Sequence, residues 1–370
     1  MISNFHYLKK SNRIVSVDVL RGFTIFLMIL VNSPGSWKYV YEPLKHSDWH
    51  GCTLADIVFP GFIFIIGLSI SLSYPQGKKL SFKKIFKRTI LIFCIGVLIN
   101  WFPFFETNIN ELRLFGILQR IALSYFLAVC VISFTTGPKQ ILLLTFILLI
   151  AHWSILYFFG DSNPFSLTGN ISKTIDVFLV SKKHIYSGYG IAFDPEGILG
   201  TLSSASQVLI GYLTGINLYN KDSLKVSSLL KFLIFSLFLI FLGYQLNSIY
   251  PINKPLWTGS YVLYSSGIYM MLLMIVTWIV DIKKKKSWSF IFIVFGYNPL
   301  ISFILSILIL KTFIKLINIS GQPFSYWIYQ NIFQRNFSEY FGSFIYSIFF
   351  TFLIWGLSYI LYKREIIFKI

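Results

Sequence analysis

Apolar runs dominate this chain, and polar breaks divide them. The runs cover residues 15–32, 53–73, 85–101, 114–134, 141–159, 198–218, 229–249, 261–280, 289–310 and 343–362. Each is about long enough to cross the hydrocarbon core of a bilayer as a helix, which takes roughly twenty residues. The pattern predicts an all-α fold, a polytopic integral membrane bundle. Residues 312–318 are a candidate for a short re-entrant or interfacial piece, so the count is ten or eleven transmembrane helices. No solenoid repeat and no soluble domain interrupts them, and residues 1–370 read as one domain. The first run lacks a small-residue cleavage site and exceeds a signal peptide's core, so it is expected to be a retained helix.

The polar breaks set the orientation. Basic residues gather at Lys9, Lys10 and Arg13, in "KKLSFKKIFKR" (78–88), at Lys139, at Lys221 and Lys225, in "KKKK" (283–286), and at Lys363, Arg364 and Lys369. With ten helices they all fall on one side, which the positive-inside rule makes the cytoplasm. Both termini are then cytoplasmic. The opposite, external side holds the longer loops, 33–52, 102–113, 160–197, 250–259 and 311–342, and long loops tend to carry function.

Composition agrees. The chain is 55% hydrophobic and 12% charged, about half the charge of a soluble domain. Its net charge of +18 does not imply a nucleic-acid partner, because the cations sit in short loops and form no basic face with stacking aromatics. Cys52, Cys94 and Cys130 lie near or inside apolar runs at wide spacing, which suits neither a disulfide framework nor a metal site. No HExxH or CxxC occurs, and no metal is expected.

Ionisable groups in a membrane are costly, so each needs a reason. Asp18 and Arg21, three apart on the first helix, share a face and can pair or line a cofactor pocket. Asn32 ends that helix, and Asp56 lies one turn into the second, where a helix start favours a carboxylate. "RLFGILQRIALSY" carries Gln119 and Arg120 into apolar surroundings. Arg113 at its start can snorkel, whereas the deeper Arg120 needs a partner, and Glu196 in "FDPEGILGT" is the candidate. "NKPLWTGSY" brings Asn253, Lys254, Trp257 and Ser260 to the external face. "GYNP" breaks the ninth helix and leaves Asn298 at depth. His152 suits a hydrogen bond between helices, and His6 and His184 suit solvated positions.

His46 and His50, in "KHSDWHGCTLADIVFP", are the imidazoles nearest this external polar cluster. Either could take a proton from a nucleophile near neutral pH. Asp48 or Asp56 could orient it, and Asn32 could donate to a developing oxyanion. This is equipment for acyl transfer to an amine or hydroxyl. No Gly-x-Ser-x-Gly elbow is present, which argues against a serine hydrolase. The same groups would also serve a proton-coupled transporter of a sugar or exported metabolite.

"RIVSVDVLRGFTIFLMILVNSPGSW" and "HSDWHGCTLADIVFPGFIFIIG" closely resemble the first two helices of the heparan-α-glucosaminide N-acetyltransferase-like family of transmembrane acyltransferases. "RLFGILQRIALSY", "FDPEGILGTLSS", "NKPLWTGSYVL" and "GYNPL" are similar to its later motifs, in the same order. The resemblance implies acetyl transfer from cytosolic acetyl-CoA to an amino sugar or glycan across the membrane. It implies His46 as the catalytic histidine and Asn32 beside the acetyl group; Asp56, which could orient the imidazole, completes the expected catalytic set. His50 falls where lysosomal members carry Asn and is expected to be a wall residue, with Trp49 beside it. Substrate contacts are expected from Trp49, His50, Glu196, Asn253, Lys254, Trp257, Ser260 and Asn298, and cofactor contacts from Asp18, Arg21, Gln119 and Arg120. The loop between Asn32 and His46 is similar to the bacterial branch, which points to a bacterial cytoplasmic membrane and to a chain without the lysosomal members' N-terminal lumenal region. Homodimers are common in the family, so a homodimer is a candidate assembly. The resemblance leaves open direct transfer or an acetyl-histidine intermediate.

Overall fold

The structure, a computed structural model, describes residues 14–74, 81–106, 108–219 and 224–368. His6, Lys9, Lys10, Arg13, Lys78, Lys79, Lys221 and Lys369 lie outside these residues. Among the described residues the long helices are α1 (Val15–Asn32), α2 (Leu54–Ser73), α3 (Phe82–Trp101), α4 (Ile117–Phe134) and α5 (Pro138–Phe159). After the short α6 (Ile171–Val180) come α7 (Gly200–Leu218), α8 (Val226–Leu246) and α9 (Gly259–Thr277). Then follow α10 (Phe290–Tyr297), α11 (Pro299–Lys311), the short α12 (Phe324–Ile328) and α13 (Glu339–Lys363). Among the described residues, eight segments are long and apolar enough to cross a membrane, so the chain is an all-α, multi-pass integral membrane protein. α3 and α7, of 20 and 19 residues, stand beside them. α3 opens with Lys83, Lys84, Lys87 and Arg88, and α7 is rich in serine. Each of the ten expected runs therefore coincides with a helix or, in the ninth case, a broken pair.

That break follows from local chemistry. Pro299 suits the first turn of α11, where no backbone donor is needed, and α10 ends just before Asn298. The expected eleventh piece, residues 312–318, is not a separate span. A π-helical turn at Thr312–Leu316 prolongs α11. A two-strand ladder then pairs β1 (Asn318–Ile319) with β2 (Gln322–Pro323). Ser320 and Gly321 make its turn at φ 52° and 79°, left-handed values that favour glycine and match the twist of a hairpin.

α1, α2, α7 and α9 form the centre. α2 and α7 touch backbone to backbone: a Cβ on Gly67 would meet the Val208 carbonyl oxygen at 1.9 Å, and one on Gly211 the Phe64 carbonyl oxygen at 2.1 Å. Such small residues bring helices together where the hydrophobic effect gives no drive, because lipid is as apolar as leucine. The serines of α7 are buried in this centre: Ser203, Ser204 and Ser206 are fully enclosed. α8 and α11 face outward and expose Ile234, Phe238 and Phe241 of α8, side chains suited to lipid.

The described residues of the basic clusters, at the start of α3, α5 and α8, after α9 and at the end of α13, lie at one end of the bundle, here the basic face. The other end, the far face, is covered by the folded segment 160–197 around α6. Asn170 caps α6 by accepting from the Lys173 N–H at 3.2 Å, and Trp49 ties the segment to the 33–52 loop by donating to the Phe165 carbonyl at 2.8 Å.

Candidate active site

α2 begins at the far face with Thr53 as N-cap and Asp56 at the third helical position. The Asp56 carboxylate is buried yet richly bonded. Oδ2 accepts from the backbone N–H of Thr53 at 3.1 Å and of Ser47 at 3.0 Å. Oδ1 lies 2.8 Å from His46 Nδ1 and 3.2 Å from Lys254 Nζ. One helix-start amide, one loop amide and a lysine ammonium explain how a carboxylate survives here, since charge-assisted bonds offset desolvation. The 33–52 loop is thereby clamped to the helix end, and His46 with it.

The buried carboxylate favours one tautomer of His46. Lys254 Nζ is also 3.0 Å from His46 Nδ1. A neutral nitrogen accepting there from Lys254 would turn its lone pair toward the carboxylate, an unfavourable contact. With the proton on Nδ1, the imidazole donates to Asp56 and Lys254 donates to the same carboxylate. Nε2 then carries the lone pair and makes no hydrogen bond among the described residues. The side chain is 40% exposed and borders a cavity at the far face. Asp48 makes no hydrogen bond to either imidazole among the described residues, which leaves Asp56 as the orienting group.

His46 and Asp56 line a cavity of about 250 Å³. Asn32 borders it from the end of α1, Lys254 and Trp257 from the loop before α9, and Arg113 and Glu196 from the opposite wall. Arg113 grips Asp194 with Nε and Nη2 at 2.9 and 2.7 Å, and its Nη2 reaches Glu196 at 2.5 Å. Its guanidinium lies 4.6 Å from the centre of the Tyr186 ring. Burial works against the Arg113 charge, but Glu196 and Asp194 outweigh it and hold the pKa above its usual value. Trp257 has a left-handed backbone, φ 55°, and meets Phe59 edge-on with centroids 4.9 Å apart. Its indole N–H donates to Gln207 at 3.2 Å, so the ring is fixed as a wall.

A second cavity of about 380 Å³ lies toward the basic face and is lined by Arg21, Ser69, Tyr74 and Arg88. Arg21 donates to Asp18 at 2.9 Å, as the three-residue spacing predicts, and to Ser69 at 2.8 Å. The two cavities follow the same helices. α2 gives Ala55, Val58 and Phe59 to the first and Phe62, Ile65 and Ser69 to the second, and α4 gives Ile117 and Ile121 respectively. From Asp56 to Ser69 is about 20 Å along the helix axis.

Known proteins are similar to this sequence. A family model described as "Heparan-alpha-glucosaminide N-acetyltransferase, catalytic" matches residues 13–179. The heparan-α-glucosaminide N-acetyltransferase of Mus musculus is 31% identical over an alignment covering 74% of this chain and 50% of the relative. Its Homo sapiens counterpart is also 31% identical, over 73% of this chain and 49% of the relative. The chain belongs to this heparan-α-glucosaminide N-acetyltransferase-like family. It spans about half the length of the curated relatives it matches.

In this member of the family, His46, Asn32, Asp56, Glu196, Lys254 and Trp257 converge on one cavity, and other expected site residues go elsewhere. The expected Arg120–Glu196 pair does not form. Arg113, read from sequence as merely snorkelling, takes Glu196 instead. Arg120 is enclosed, donates to the carbonyls of Pro195 and Gly197 at 3.1 and 2.9 Å, and lies 5.2 Å from the Trp257 ring centre. It lines neither the His46 cavity nor the basic-face cavity. Gln119, also expected at the cofactor, faces α3, where its Oε1 would lie 2.4 Å from a Cβ on Gly96. Asp18 is buried beside Arg21 and does not border the basic-face cavity.

The expected substrate contacts divide similarly. Trp49 and His50 lie outside the cavity lining. Trp49 packs on Tyr189 and Phe193, and burial lowers the His50 pKa below its usual value. Asn253 is enclosed and donates to the Trp49 carbonyl at 2.9 Å, with His50 Nδ1 at 3.3 Å. It joins two loops. Ser260 is enclosed and meets Thr258 at 3.2 Å. Asn298 lies toward the basic face. It donates to the Ile366 carbonyl at 2.7 Å and accepts from the Phe368 N–H at 3.1 Å, because a broken helix exposes a polar side chain that the C-terminal segment can use. His152 meets the hydroxyl of Tyr250 at 2.5 Å, a residue of the loop after α8, and not the second helix that was expected.

Sequence reasoning missed Ser47, Thr53, Asp194 and Gln207 as supports. Only the Thr-x-x-Asp spacing at 53–56, a capping-box signature, could have flagged one of them.

Proposed function

We propose that this chain is a transmembrane acetyltransferase that moves an acetyl group from cytosolic acetyl-CoA to an amino sugar at the external face. The observation that carries the reading is the 2.8 Å contact between His46 Nδ1 and buried Asp56, on an imidazole that borders the far-face cavity. The acceptor amine adds to the thioester carbonyl carbon. A C–N bond forms, the C–S bond breaks, and the amine proton passes to His46 Nε2. The imidazolium, steadied by Asp56, returns that proton to the departing sulfur. Asn32 borders the cavity; one amide hydrogen is used on the Met28 carbonyl at 2.8 Å, and the other serves the thioester carbonyl oxygen. Glu196 and Trp257 offer a carboxylate and a flat face to the sugar. At the basic face, Arg21 and Arg88 suit the donor's phosphates, and the cavities along α2 and α4 suit its arm.

Assaying purified protein in nanodiscs with radiolabelled acetyl-CoA and glucosamine tests this. Replacing a general base costs about 10²–10⁴-fold, so His46→Ala is expected to lose that much turnover. Full activity in folded His46→Ala would refute the role. Label retained on protein without acceptor would indicate an acetyl-histidine step, and its absence direct transfer. Cavities at opposite faces also favour a second reading, a transporter. Sugar uptake into proteoliposomes without acetyl-CoA, and no thermal stabilisation by acetyl-CoA, would support it.

A further inference from the structure

A third cavity branches from the candidate active site. It holds about 260 Å³ and shares Met28, Asn32 and Ile117 with the His46 cavity. The rest of its wall is largely hydrocarbon, including Ile29 of α1, Phe303, Ile307 and Leu310 of α11, and Phe350 of α13. No α2 residue lines it, although α2 lines both cavities on the donor route. It is therefore a side branch of that route.

Its surroundings point to lipid. The segment containing α11 is the least buried of the eight spans, and Ile314, at the outer end, is 42% exposed. From Lys311 back to Phe303 the branch runs about 12 Å deep along α11. Lys311 is occupied: its ammonium donates to the carbonyls of Ile99, Asn100 and Phe102 at 2.7, 3.3 and 3.0 Å. So little polarity suits water poorly, and a soluble sugar needs neither this depth nor this lining.

Resting on the acetyl-transfer reading, we propose that this branch holds the hydrocarbon anchor of the acceptor. The substrate is an amino sugar carried on a lipid, with its sugar at His46 and its chain between α1, α11 and α13. An amphiphile in the outer leaflet has its head group and its chain at these two levels.

The test compares methyl and hexyl β-glucosaminide as acceptors for the protein in nanodiscs. Burying methylenes is worth several-fold each, so kcat/KM is expected to be at least about tenfold higher for the hexyl compound. Ile307→Trp and Ser306→Leu fill the branch differently, so one remains informative if the other misfolds. Each is expected to bring the hexyl-to-methyl ratio close to one. A wild-type ratio near one would overturn the proposal. So would a high ratio that survives both substitutions, since the chain would then act only by partitioning into lipid. A raised KM for acetyl-CoA with the ratio intact would assign the branch to the donor and overturn it too. Thermal stabilisation gives a readout without turnover: hexyl glucosaminide should stabilise more than methyl, and Ile307→Trp should remove the difference. If that difference holds but neither acceptor is acetylated, acetyl transfer falls and the anchor site stands. If both are acetylated alike, the anchor site alone falls.

Discussion

Replacing Asp56 with Asn probes the candidate site at the atom on which it depends. Ser47 and Thr53 N–H both point at Oδ2. The amide oxygen must occupy that position, which puts the NH₂ where Oδ1 faced His46 and Lys254. The NH₂ then donates to His46 Nδ1, so the ring proton moves to Nε2 and the base loses its lone pair on the cavity side. An amide behind a catalytic imidazole costs about 10⁴-fold in serine proteases, and a kcat loss of about 10³–10⁴-fold is expected here. KM for the acceptor should change much less, since no cavity wall moves. Lys254, with its side chain 18% exposed, also loses its counter-charge. Leaving a largely buried cation unpaired is worth about 2–4 kcal/mol of stability. Steady-state transfer of labelled acetyl to glucosamine gives kcat and KM, and a melting curve gives the stability loss. An Asp56→Asn protein that folds and keeps kcat within about threefold of wild type would refute the tautomer argument.

Other predictions follow from separate regions. Gly67→Ala places a methyl 1.9 Å from the Val208 carbonyl oxygen; forcing α2 from α7 should cost about 1–3 kcal/mol, read as a lower melting temperature than for Gly356→Ala, where a Cβ meets nothing. Asp176, enclosed on α6, has its pKa raised to about 7 by burial, despite the Ile198 N–H, with Asp194 raising it further and Arg120 lowering it. The folded chain then binds this proton more tightly than the unfolded chain, so stability is highest below about pH 4 for this group and falls as pH rises toward 7. Melting temperature should drop between about pH 4 and 7, and Asp176→Asn should flatten that part of the slope. Burial, with the Asp56 charge adding to it, pushes the Cys52 thiol to about 12. Maleimide labelling of Cys52 at pH 7.5, followed by mass spectrometry, should be slow in folded protein and fast after denaturation.

Much of the fold was legible because the bilayer imposes a simple length rule. The ten apolar runs marked ten helices or helix pairs, and the Asn298-Pro299 dipeptide marked the break. His46, Asp56 and Asn32 were legible as polar groups at helix ends where lipid should be. Long-range loop contacts were not. The sequence cannot show that segment 194–198 folds back over α4, so Arg113 looked solvated and Arg120 looked unpaired, whereas Arg113 holds Asp194 and Glu196. Asn253 and Ser260 share a motif with Lys254 and Trp257, but the turn before α9 sends the first two inward. His50 and His46 could not be ranked by spacing. The side chain of Asn253 turns one toward the packed loops, and Asp56 holds the other at the cavity.

Transfer across sealed proteoliposomes tests the central claim most directly. With reconstituted protein in both orientations, labelled acetyl-CoA is supplied outside only and glucosamine on either side. Acetylated product is expected when acceptor lies inside, opposite the donor, and should vanish with His46→Ala. Product formed only where donor and acceptor share a compartment, or no product on either side, would contradict it.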